Sequence, residues 1–337
     1  MRTRNGFANG ERGRSTIEIM KKGKTKNSRL VYNFIFPYGC KKLSIDGYVF
    51  RRVDEYIERV QSLQHLIASF SEFDWPMNTG THAITAFVDL PLKENKPVIE
   101  WGDKNATALD DILLLLSIFT LRDVFAMPEP IEKGEGAITA DSREYFFGLR
   151  TAIKYEKSEN EHGDQCDIGF KKGIEGVCSR IRSASWKKEY GCGHFLLLFR
   201  SACKRQILET SFITCWTIWE ILFTLHNQSW LSDEQIIKLP ASEKISYILT
   251  RYQIKKTLDV KDRKGIKKFV KMRNMLVHAG RFVDEDAVHD ATLFVRVTAI
   301  IIAQILGLSV SDVLGSQAQL LARLRGQDVI PPWKEWK

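Results

Sequence analysis

No two of the six cysteines (Cys40, Cys166, Cys178, Cys192, Cys203, Cys215) stand in a CxxC pair, which argues against a disulfide framework or a redox motif. Long apolar runs are also missing. Residues 112–121 are too few to span a bilayer, and residues 291–308 are interrupted by Arg296 and Gln304, so no membrane helix is expected. No apolar stretch follows the basic N-terminus, which predicts no secretory leader and a reducing, cytoplasmic setting. Gly134-Glu135-Gly136 lacks the Lys-Ser/Thr of a phosphate loop and reads as a turn. Cys166, Cys178, Cys192 and His194 lack the short spacings of a zinc site, so neither metal nor cofactor is expected.

What remains is a chain of 337 residues, 44% hydrophobic and 27% charged, with the arithmetic of an ordinary globular protein of about two domains. Its net charge of +9 is unevenly placed. Residues 1–29 carry nine Lys/Arg against two Glu, and residues 251–281 carry eleven Lys/Arg against two Asp. The rest is mildly acidic, so two concentrated basic segments point to a polyanionic partner, although a solvated tail and helix face account for the same charges.

Residues 1–29 have no hydrophobic periodicity and read as a disordered basic arm. Residues 30–130 read as a mixed α+β domain with strands at 31–36, 47–53, 83–90 and 97–101. Helices are expected at 54–70 and, nearly all apolar, at 108–126, where Asp110 and Asp111 suit the positive N-terminal end. A helical and loop connector follows over 131–190, with a helix at 141–155 and an exposed loop at 157–173. Residues 191–325 read as an all-α bundle with helices at 194–208, 211–225, 242–252, 262–279, 284–306 and 317–325. The aromatics Trp216, Trp219 and Phe223 fit a core or dimer interface better than a base-stacking platform, and His162, His226 and His289 read as surface or loop histidines.

The chemistry concentrates in residues 262–281. On a wheel of 100° per residue with Arg273 at zero, Lys267, Lys271, Asn274, His278 and Arg281 fall between roughly 80° and 160° as one polar stripe. Ile266, Phe269, Val270, Met272, Met275, Leu276 and Val277 take the complementary arc, with Arg273 among them, and Gly280 supplies the stop. An arginine on an apolar face needs a partner, and Glu220, alone in the apolar helix 212–225, is the candidate. The purely structural reading is a buried ion pair between core helices of a scaffold. The functional reading is that arginine and histidine beside lysines activate a ribose 2′-hydroxyl and stabilise charge on a phosphate.

Arg273-Asn274-x-x-x-His278, an Arg, a polar residue and a His after three further positions, late in an α-bundle, resembles the motif of the HEPN superfamily. The resemblance covers roughly residues 190–310. Arg59 and His65 also satisfy the loosest form of the motif, but Val60 follows the arginine and the pair is read as accidental. The resemblance implies a helical bundle that dimerises so that two motifs face each other, and in many members a metal-independent endoribonuclease of toxin, CRISPR-linked or antiviral defence systems. Carried across, His278 is the general base or acid and Arg273 orients the phosphate. Asn274 positions the imidazole or the RNA, and Lys267, Lys271 and Arg281 hold the RNA backbone. The expectation is therefore a cytoplasmic homodimeric ribonuclease effector whose residues 30–130 sense an unknown trigger ligand. A non-catalytic HEPN module that binds RNA or a partner protein and mediates dimerisation is the alternative.

Overall fold

The computed structural model describes residues 27–37, 39–54, 56–57, 84–120, 123–128, 156–159, 165–203, 207–254, 263–282 and 285–308. The expected helices at 54–70, 141–155 and 317–325, nearly all of the basic arm, Gly134 to Gly136 and the Arg59/His65 pair lie essentially outside them.

The fold is α+β. Five strands, β1 (Ser28–Tyr32), β2 (Lys42–Ile45), β3 (Tyr48–Arg52), β4 (Ile84–Asp89) and β5 (Phe125–Met127), form one antiparallel sheet in the order β2-β3-β4-β1-β5. β2 falls between the strands expected at 31–36 and 47–53, where the sequence reading places none. It pairs with β3 through Asp46 and Gly47, both at positive φ (54° and 83°), as a two-residue hairpin turn requires. β1 begins at Ser28, inside the expected arm.

Helix α1 (Ala108–Thr120) is apolar on nearly every side and buried along its length. Its start is fixed by exchange between Thr107, whose N–H donates to Asp110 at 2.7 Å, and Leu109, whose N–H reaches the Thr107 hydroxyl at 3.3 Å. It ends six residues earlier than its apolar run, because residues 125–127 pair with β1 and Tyr32 stacks on Phe125 at 4.7 Å. The expected strand at 97–101 is likewise not one. The backbone N–H groups of Val98 and Ile99 donate to the buried Asp111 carboxylate at 2.6 and 3.3 Å, Trp101 Nε1 donates to it at 3.0 Å, and the Glu100 N–H donates to the Cys192 carbonyl. The segment's donors are consumed by a side chain and a helix connection, so it straps α1 to the helical part instead of joining the sheet.

The loop expected at 157–173 is a hairpin, β6 (Lys157–Glu159) and β7 (Gln165–Asp167), leading into α2 (Gly169–Arg182) and α3 (Ala184–Tyr190). After them come α4 (His194–Cys203), α5 (Leu208–Asn227), α6 (Asp233–Lys238), α7 (Ala241–Arg251), α8 (Arg263–Ala279) and α9 (Glu285–Ile305). The apolar core runs unbroken from sheet to helices. Ion pairs Asp46–Arg182 and Asp123–Arg200 cross the same boundary, so α2 and α4 tie the helical part to the sheet region.

α5 is central to the helical part, packing against α3, α4, α7 and α9. Phe294 of α9 is the shared ring, 4.9 Å from Phe212, 4.4 Å from Trp219 and 5.2 Å from Phe269 of α8. Trp216, Trp219 and Phe223 are buried in this core. No helix of the described residues is long and apolar enough to cross a membrane.

Candidate functional site

Helix α8 opens with Arg263 and Lys264 and has no acidic residue in its first turn, so neither charge nor the macrodipole stabilises that end. Packing has to. Ile266, Phe269, Met272 and Leu276 recur at helical spacing and are buried against α7 and α9. The helix ends at Gly280, which takes φ +71°, a left-handed position where glycine avoids the Cβ penalty.

This packing turns the opposite face outward. Lys267, Lys271, Asn274 and His278 are exposed and form one row along α8, whereas Arg281, also exposed, lies past the helix end and the left-handed Gly280 and so leaves the wheel on which it was placed. Arg273 lies at its margin, half-buried, and its Nη1 donates to Asn274 Oδ1 at 3.2 Å. The bond turns the arginine toward the row. Lys268 points away and pairs with Asp290 of α9 at 3.5 Å. Val277, assigned to the apolar arc by its position on the wheel, is instead 59% exposed and lies between Arg273 and the row.

Glu220 is not the partner of Arg273. Trp216 Nε1 donates to Glu220 Oε1 at 3.1 Å, and the carboxylate lines a narrow crevice with Trp216, Trp219, Ala241, Lys244 and Ile245. The reason is packing order. α5 meets α7 and α9, α8 lies against those same two helices, and Phe294 of α9 packs against both Trp219 of α5 and Phe269 of α8. Arg273 avoids the cost of an isolated buried charge by remaining partly in water.

Sequence reasoning missed a second polar group. His226 is half-buried, with Nε2 2.9 Å from the Tyr252 hydroxyl and its ring edge-on to Tyr190 at 5.7 Å. Arg251 binds Glu189 beside it at 2.8 Å. Burial, followed by the nearby Arg251 charge, lowers the His226 pKa to about 4, while burial raises Tyr252 and Tyr190. No local pattern joins residues so far apart in sequence, and the cluster exists only because α3, α5 and α7 converge. Burial also pushes the Cys178 and Cys215 thiols up to about 12, which disfavours thiolate chemistry at either. The side chains of Cys166 and His289, and all of His162, lie outside the described residues. Among the described residues, no group of three or more His, Cys, Asp or Glu side chains is placed to hold a metal ion.

Comparison with protein-family models, with curated proteins and with solved structures finds no match to this chain. The functional reading therefore rests on the residues of α8.

Proposed function

We propose that the chain is a metal-independent endoribonuclease of the HEPN type, acting as a homodimer in which two α8 rows face one groove. One observation carries this reading: Lys267, Lys271, Asn274 and His278 share a single exposed row on α8, at whose margin Arg273 donates to Asn274, and the exposed Arg281 follows just past the helix end. The lysines and Arg281 bind the phosphate backbone. His278 takes the proton of a ribose 2′-hydroxyl, and the 2′-oxygen attacks the adjacent phosphorus. The 5′-oxygen leaves with a proton, producing a 2′,3′-cyclic phosphate and a 5′-hydroxyl end. The Arg273 fork stabilises the charge that develops on the phosphoryl oxygens. DNA, which lacks the attacking hydroxyl, is not cut. As an effector of a defence or toxin-type system, the protein would use residues 30–130 to sense its trigger.

Purified protein in chelator should cleave RNA and spare an oligonucleotide with 2′-deoxyribose at the cleaved position. His278→Ala should lose about 10²-fold or more in rate with unchanged folding, since its side chain is exposed. Full cleavage by that variant would remove the catalytic assignment. The binding-only alternative has one observation of its own: among the described residues, His278 makes no hydrogen bond that would orient its imidazole. RNA binding and dimerisation without cleavage would select it.

A further inference from the structure

We draw no further inference here: the strongest candidate, the open cavity of about 350 Å³ between the β2–β3 turn and α2 lined by Asp46, Glu175, Cys178, Ser179 and Arg182, offers a ligand no uncompensated charge, because Arg182 binds Asp46 and Lys171 pairs with Glu175, and nothing in the structure shows what would fill it.

Discussion

Replacing Gly307 by alanine should cost far more than a surface substitution near a helix end, and the structure says why. The Gly307 N–H donates to Gln304 O and the Leu308 N–H to Ala303 O, both at 2.9 Å, which closes α9 in a Schellman arrangement with Gly307 at φ +78°. The Ile305 carbonyl, otherwise an orphan of the last turn, accepts Arg180 Nε at 2.9 Å and Trp186 Nε1 at 3.3 Å. A Cβ on Gly307 would stand 2.7 Å from Arg180 Cδ and 2.9 Å from its Nε. Alanine in the left-handed region costs about 1 kcal/mol, and expelling Arg180 removes a charged hydrogen bond at a helix C-terminus, about 2 kcal/mol more. Gly307→Ala should therefore cost about 3 kcal/mol, but only about 1 kcal/mol in an Arg180→Met background, a coupling of about 2 kcal/mol. Urea unfolding of the four proteins, followed by circular dichroism and tryptophan fluorescence, measures the cycle. Additivity within about 0.5 kcal/mol would refute the claim that Gly307 is required by Arg180.

Asp111→Ala leaves three donors without an acceptor and should destabilise by about 3 kcal/mol or more in the same assay. Burial outweighs those bonds and holds the Asp111 carboxyl above its ordinary value. The folded state therefore binds its proton more tightly than the unfolded chain. Its contribution is full at pH below the unfolded value, falls as pH rises through the folded value and is flat above, and Asp111→Asn should remove that slope. His226 has the opposite sign. With its pKa lowered to about 4, its stabilisation is full above the unfolded value near 6.5 and is lost as pH falls toward 4. The loss should be no more than about 2 kcal/mol given its open side, and it should be absent in His226→Gln. Arg273→Lys keeps charge on α8 but loses the fork and its bond to Asn274, so RNA binding should persist while cleavage falls about 10²-fold.

Where a helix carries its own pattern, the sequence was sufficient. α8 and α9 begin and end within a residue of the expected 262–279 and 284–306, because apolar spacing and Gly280 are local properties. The exposed row from Lys267 to His278 follows from the same geometry, since one buried face commits the other to solvent. The β2–β3 hairpin was not read from the sequence, although Asp46-Gly47 carries the residues that its two-residue turn requires. Tertiary structure alone decided where backbone donors and charges found partners. Residues 97–101 look like a strand until Asp111 takes their N–H groups, and residues 125–126 look like helix until β1 takes them as an edge. Glu220 and Arg273 look like an ion pair until packing gives Glu220 to Trp216 and Arg273 to Asn274. Periodicity records which side of an element is buried, but not what it is buried against. The partners of Asp111, Arg273 and His226 depend on that second fact.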